Sequence, residues 1–358
     1  FRSERLVRYT LRPFENVWCY YSEISPLWNR CRSALWAQCW SGNQFFITRP
    51  AGVASPEGTP AFFTTLLGDN DFLRGHAYYF PLQLKDGTRL KKQEEKTLFS
   101  LLGEKPEEEI PIANLSKAAR KYLNSIKVDD LDDNREIAGL IWLHSLTICY
   151  SSAYLTENVD GIRQDWPHIP LPNNKELLIA SAQLGQEIAS LLDLESSIKG
   201  ISTGNIRSEL KPIGVISSTQ GAKLNPDAGD LEISAGWGHE GKEGVTMPGR
   251  GKYIKRDYTA QELDSIRQGV ELLGLTLEQA MQVLGQTTLD IYLNDNAYWK
   301  NIPSKTWDYV IGGYQVIKKW LSYRENTLLG RSLTVDEVRE VTSIARRITA
   351  ILLLEPQL

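Results

Sequence analysis

Close to its end, the chain places a tyrosine, a glutamine and two lysines directly after a glycine pair. The segment reads Trp307-Asp308-Tyr309-Val310-Ile311-Gly312-Gly313-Tyr314-Gln315-Val316-Ile317-Lys318-Lys319-Trp320-Leu321. The aromatic and β-branched run predicts a strand, and the glycines predict a sharp turn. We expect Tyr314, Gln315, Lys318 and Lys319 to occupy the first turns of an amphipathic helix and to face a ligand. A glutamine there could pair with a base edge or only bond a neighbouring loop, and the sequence leaves both readings open.

Basic residues gather in two places, although the whole chain has a net charge of −4. Residues 1–50 hold seven arginines against three acids, and residues 250–256 hold four basic residues and no acid. One positive face on an acidic protein is compatible with phosphate binding, and scattered surface charge would give the same counts. The candidate nucleic-acid contacts are Arg12, Arg30, Arg32, Arg250, Lys252, Arg256, Tyr314, Gln315 and Lys318.

No motif predicts a catalytic residue or a metal site. Gly236–Gly241 matches G-x-G-x-x-G, but the glycines and the proline that follow cannot form the helix that a cofactor loop requires. Asp230, Glu240 and Lys242 weakly echo a metal-dependent nuclease, with a flexible loop as the alternative. The four cysteines and four histidines lack metal-ligand spacing, and the cysteines are typical of reduced thiols in a cytoplasmic protein.

Histidine and tryptophan side chains could each be functional or structural in this chain. His144 lies among apolar residues and is predicted to be a core histidine rather than a base. Most of the ten tryptophans lie on apolar stripes and are expected in the core. Trp237 is the expected exception, because a glycine-rich loop offers little core to pack against.

No apolar run approaches the length of a membrane span, so no membrane-spanning helix is expected.

The local patterns predict an α+β fold, with a β-rich N-terminal lobe, a mostly helical C-terminal lobe and a small β insertion. The expected divisions are 1–110, 111–198, 199–258 and 259–358. Two strands should flank Arg12-Pro13, and the long helices are expected at Pro26–Trp40, Ile112–Ile126, Asn134–Tyr154 and Asn174–Leu194. Capping boxes at Thr259 and Thr334 predict two helix starts, and Thr276 predicts a third.

Several motifs, in this order, resemble one known family. They are Arg12-Pro13-Phe14-Glu15, Tyr20-Tyr21, Asn29-Arg30-Cys31-Arg32, Phe80-Pro81-Leu82, Leu143-His144-Ser145, Pro167-His168-Ile169-Pro170, Leu184-Gly185-Gln186-Glu187 and the Ile311–Gln315 segment with Lys319-Trp320-Leu321. The pattern resembles the C-terminal specificity domain of type ISP restriction-modification enzymes. Residues 199–258 match nothing in that pattern.

The resemblance implies a non-catalytic target recognition domain that reads a short site in double-stranded DNA. Its expected partner is a methyltransferase domain earlier in the same chain, which would bind S-adenosylmethionine and methylate adenine. The start at Phe1 rather than methionine agrees with a fragment of a longer protein. A metal-dependent nuclease and a protein-docking module remain the alternatives.

Overall fold

A computed structural model describes residues 1–24, 27–28, 31–53, 57–85 and 110–358. It confirms the α+β class, with helices and several small sheets mixed along the chain. Arg30 and the start of the helix expected from Pro26 lie outside the described residues.

The N-terminal part is built from short antiparallel strands. Its elements are β1 Leu6–Arg12, β2 Glu15–Tyr20, α1 Ser33–Trp36, β3 Phe45–Thr48, β4 Phe62–Thr64, β5 Tyr78–Pro81, β6 Gln83–Leu84 and β7 Ile112–Ala113. β1 and β2 form the expected hairpin, in which Phe14 turns the chain at a φ of 60°. β3 is fully buried between β4 and β5. The helix expected up to Trp40 is observed only over α1.

The middle of the chain is helical. Its helices are α2 Lys117–Ser125, α3 Arg135–Tyr150, α4 Ser152–Glu157, α5 Val159–Gln164 and α6 Lys175–Leu192. Asn134 and Asn174 begin α3 and α6 because their side-chain oxygens accept backbone N–H groups of the first turn. α2 begins later than the sequence pattern predicts, since Ile112 and Ala113 pair with β6 instead.

The remaining residues combine the largest sheet with the C-terminal helices. The elements are β8 Val215–Ser218, β9 Gly238–Glu240, β10 Thr246–Pro248, β11 Tyr253–Arg256, α7 Ala260–Glu271, α8 Leu277–Leu284, β12 Thr288–Tyr292, β13 Ala297–Pro303, α9 Ser304–Trp307, β14 Val310–Ile311, β15 Tyr314–Gln315, α10 Val316–Ser322, α11 Asn326–Leu329 and α12 Val335–Leu354. The sheet has the order β11-β12-β13-β8. Its central strands, β12 and β13, were not identified from the sequence. All three predicted helix starts are present, and each has a capping box.

One hydrophobic core joins the two ends of the chain. It runs from Phe14 and the β3–β5 sheet, through Ile188 of α6, to Trp320 of α10 and Ile348 of α12. The N-terminal arginines and the glycine-pair segment are therefore held in one packed unit, although about three hundred positions separate them in the sequence.

Candidate nucleic-acid interface

The glycine pair forms the turn of a hairpin, not the start of a helix. Gly312 and Gly313 have φ values of 53° and 82°, which permit a tight turn between β14 and β15. α10 begins only at Val316, so the prediction that Tyr314 and Gln315 lie in its first turn is wrong. The turn is fixed to the N-terminal part, because the Arg74 amide donates to the Gly312 carbonyl at 2.9 Å.

Cationic side chains converge on Tyr314. The Arg12 guanidinium lies 5.5 Å from the centre of the Tyr314 ring, and the Lys319 ammonium lies 5.8 Å from it. Lys319 is also 4.3 Å from the ring of Tyr323, and Arg12 pairs with Asp69 at 2.7 Å. We call Arg12, Arg74, Tyr314, Lys319 and Tyr323 the tyrosine–cation cluster. It joins a sequence-predicted arginine to the conspicuous C-terminal motif.

Lys319 is the electrostatic centre of this cluster. Burial and the positive charges of Arg12 and Arg74 lower its pKa to about 8, while the Glu15 carboxylate acts in the opposite direction. No carboxylate oxygen in the described part of the chain lies within 4 Å of its Nζ, which instead donates to the Thr246 carbonyl at 3.4 Å. A half-buried ammonium held among other cations is stabilised by an incoming anion.

Gln315 is engaged inside the protein. Its side-chain amide donates to the Trp307 carbonyl at 2.8 Å. This contact favours the loop-capping reading over base recognition. Lys318 is half-buried on α10, whose Val316 and Trp320 are buried as their spacing predicts.

Replacing Gln315 with alanine is expected to lower the free energy of unfolding by about 1 kcal/mol, because the Trp307 carbonyl loses a partly buried donor. Base preference should be unchanged. Urea unfolding and duplex-binding competition would measure the two effects. Gln315→Glu removes the donor and sets a carboxylate against the Trp307 carbonyl, so it should destabilise the fold at least as much as alanine. Relaxed preference at one base position would restore the base-reading role.

In the second basic stretch, residues 250–256, two side chains form salt bridges and two are exposed without one. Arg256 is locked between Glu262 at 2.8 Å and Asp290 at 2.9 Å, and these carboxylates raise its pKa. Lys252 pairs with the exposed Asp295 at 2.6 Å and lies over the Tyr292 ring. Arg250 and Lys255 are exposed, and within the described residues neither forms a salt bridge. These two side chains are free to meet phosphates.

Arg32 is exposed and donates to the Asn70 side chain at 3.0 Å. Asn29 and Arg30 lie outside the described residues, so Arg32 is the one arginine of the Asn29–Arg32 motif at a known position. Arg32 stays a candidate contact.

The glycine-rich loop is built around Trp237, so the expectation that this tryptophan has little core to pack against is wrong. Its ring is fully buried, meets Trp307 edge to face at 5.2 Å between centroids, and donates to the Tyr292 carbonyl at 2.7 Å. A Cβ on Gly251, whose φ is 68°, would lie 2.1 Å from that ring. The glycines permit close packing, and the loop leads into a hairpin, which does not fit a methyl-donor or phosphate site.

The catalytic alternatives gain no support from the geometry. His144 is buried between the Ser181 hydroxyl and the Pro170 carbonyl, each at 2.8 Å, and burial lowers its pKa. That is the predicted core histidine. Asp230 accepts from the Asn225 amide, whereas Glu240 is exposed on β9. Among the described residues, no group of three or more His, Cys, Asp or Glu side chains could hold a metal ion.

Comparison with protein families decides what kind of domain carries this surface. A family described as the Type ISP C-terminal specificity domain matches residues 1–352. The chain belongs to this family. No curated protein matches it significantly. No helix in the described part of this specificity domain is both long and apolar enough to cross a membrane.

Three solved structures share the fold at low sequence identity. A DrdV–DNA complex covers 99% of the chain at 15% identity with a TM-score of 0.54. The ATP-dependent Type ISP restriction-modification enzyme LlaBIII, bound to DNA, covers 100% at 14% identity with a TM-score of 0.53. A nuclease-deletion mutant of the Type ISP restriction-modification enzyme LlaGI, in complex with a DNA substrate mimic, covers 100% at 14% identity with a TM-score of 0.50. The specificity domain spans 28%, 18% and 24% of those chains, respectively.

Three members of the tyrosine–cation cluster, Arg74, Lys319 and Tyr323, are absent from the contacts that the sequence predicts. Lys319 was noted in the motif but not selected as a contact, and Arg74 was not singled out. The signal for Lys319 was its i, i+4 relation to Gln315 and its neighbour Trp320, which places it beside the turn. Arg74 had no local signal, since only tertiary packing brings it near Tyr314.

Proposed function

We propose that this specificity domain binds duplex DNA and selects the target sequence of a restriction-modification enzyme. Its family supports the proposal, and the tyrosine–cation cluster carries it physically. Lys319 sits with Arg12 and Arg74 in a half-buried position that an anion would complete. Phosphates in the DNA backbone are anions that such side chains neutralise.

The domain would recognise DNA without catalysing a reaction. In our proposal, a methyltransferase domain of the same chain binds S-adenosylmethionine and methylates adenine, and the complete enzyme acts in the cytoplasm. The partners are double-stranded DNA and that methyltransferase domain. Arg12, Arg32, Arg250 and Lys319 would hold phosphates, which position the protein without reading sequence.

Salt dependence tests the role of the exposed basic residues. Arg250→Ala and Lys255→Ala together should weaken binding to every duplex alike and reduce the salt slope by about two units, roughly one per lost phosphate contact. Arg256 is not substituted, because its removal would leave the Glu262 and Asp290 carboxylates without this salt-bridge partner. Fluorescence anisotropy at several salt concentrations measures the slope.

Arg339→Ala is the matched control, since Arg339 is exposed on α12, outside both basic groups. It should leave the slope unchanged. A loss confined to one DNA sequence would show that Arg250 and Lys255 read bases, and an unchanged slope in the double variant would remove them from the interface.

A further inference from the structure

A two-stranded ribbon extends from the side of the tyrosine–cation cluster. β9 and β10 pair as Glu240 with Thr246, His239 with Met247 and Gly238 with Pro248, and they belong to no larger sheet among the described residues. Backbone bonds continue the pairing beyond β9 and β10, from Gly249 to Trp237 and from Gly251 to Gly236. We call residues 236–251 the ribbon. It lies within the region that the family resemblance left unassigned.

The base of the ribbon is rigidly fixed. Trp237 anchors it in the core, and the Glu325 carboxylate accepts both the Gly236 amide at 3.0 Å and the Trp237 amide at 2.7 Å. Gly238 lies so close to α10 that a Cβ would be 2.0 Å from the Ser322 carbonyl oxygen. A buried carboxylate and a buried tryptophan thus hold the ribbon in one orientation, as a recognition element requires.

The far end of the ribbon is exposed and polar. His239 and Glu240 are exposed, and Met247 keeps 47% of its surface accessible. Lys242 and Glu243 have side chains that are 92% and 81% accessible, and they approach each other only at 3.9 Å. Among the described residues, these exposed side chains do not hold the fold together, whereas the base of the ribbon is firmly fixed.

Positive charge adjoins the ribbon at two points. Lys319 donates to the Thr246 carbonyl in β10, which places the tyrosine–cation cluster against the second strand. Arg250 lies within the ribbon two residues after Pro248, and Lys255 follows on β11. Cations beside an exposed polar ribbon complement the negative charge of the phosphates that line a DNA groove.

We propose that the ribbon enters the major groove and reads base edges, with His239 and Glu240 as specificity-determining residues. This inference rests on the proposed DNA-binding function. The major groove is about 12 Å wide and admits a two-stranded ribbon. A glutamate accepts from the amino group of cytosine, and a histidine donates to or accepts from a purine edge. The flanking cations hold phosphates and so determine how far the ribbon enters the groove.

The test compares base discrimination by the 358-residue chain and by its His239→Ala and Glu240→Gln variants. The probes are the duplex that the unaltered chain prefers from a random pool, and every single-base change of that duplex. Each variant should lose about tenfold discrimination at one or two adjacent positions. The melting temperature should stay the same because both side chains are exposed, and affinity for an unrelated duplex should not fall, because neither substitution removes a lysine or an arginine.

Glu271→Gln, at an exposed position at the end of α7, is the matched control and should keep full discrimination. If His239→Ala and Glu240→Gln both discriminate like the unaltered chain, the ribbon does not read bases, and the proposed function stands. If the unaltered chain itself shows no base preference, both the ribbon inference and the proposed function are overturned.

Discussion

Lys319→Gln is expected to weaken duplex binding at pH 7 by roughly ten- to a hundredfold and to flatten the pH dependence of binding. The neutral side chain removes a charged contact to phosphate, which is worth roughly 1.5–3 kcal/mol. In the unaltered chain, Lys319 loses its proton above a pKa of about 8. At pH 9 about a tenth of the free molecules should retain the charge, so affinity should fall by up to about tenfold between pH 7 and pH 9.

The neighbouring groups do not produce the same profile. Burial opposes the charged form of Arg12, but Tyr323, Tyr314 and Asp69 raise its pKa overall, and burial raises the pKa values of Tyr314 and Tyr323. Burial raises the Glu15 pKa to about 7, so this carboxyl group also gains negative charge between pH 7 and pH 9. Lys319→Arg separates the two causes, since it should keep the affinity at pH 7 and leave only the part of the decline that Glu15 produces.

The affinity loss should not come from unfolding. The folded protein holds the Lys319 proton less tightly than the unfolded chain, so the contribution of Lys319 to stability is unfavourable below pH 8 and is relieved as pH rises toward 10.5. Neutral glutamine should therefore leave the fold as stable or more stable at pH 7. Lys121→Gln, at an exposed position on α2, is the control and should bind like the unaltered chain. A Lys319→Gln variant with unchanged affinity would exclude the tyrosine–cation cluster from the interface.

Arg347→Met should lower the free energy of unfolding by roughly 2–4 kcal/mol. Only 2% of Arg347 is exposed, and its guanidinium donates to the carbonyls of Ser190, Leu191, Asp193 and Ser196 at the end of α6. A cation there satisfies carbonyls that the helix leaves without partners and complements the helix dipole. Methionine fills similar space but leaves these oxygens buried without a donor.

Urea unfolding of the variant would measure this loss. Arg339→Met on the same helix is the control, because the Arg339 side chain is 75% accessible and should change stability by no more than about 0.5 kcal/mol. Equal losses in the two variants would show that Arg347 contributes through helix propensity alone and not through the end of α6.

Local signals predicted the parts of the fold that depend on a few neighbouring residues. The capping boxes at Thr259, Thr276 and Thr334 are examples, because each satisfies backbone amides within one turn. β12 and β13 were not predicted although they have five and seven residues, because the sheet that contains them also needs β8 and β11, which lie far away in the sequence. Arg347 lies on the apolar side of α12, and only its distant carbonyl partners explain why a cation is placed there.

The site was predictable in its residue types and less so in its arrangement. Arg12 and Tyr314 were both identified from the sequence, but their contact depends on packing between opposite ends of the chain. Trp237 was misjudged because a high density of glycine is typical of loops, whereas here it permits backbone to pack against an indole ring. The ribbon had no recognisable strand pattern, since β9 and β10 have only three residues each.

Selection from a random pool of duplex DNA tests the central claim most directly. The chain is incubated with the pool at moderate salt, and bound duplexes are recovered, amplified and sequenced over several rounds. A target recognition domain should enrich one short sequence, and binding to that duplex should weaken steeply as salt rises. Enrichment of no sequence, or binding that salt does not weaken, would contradict the account.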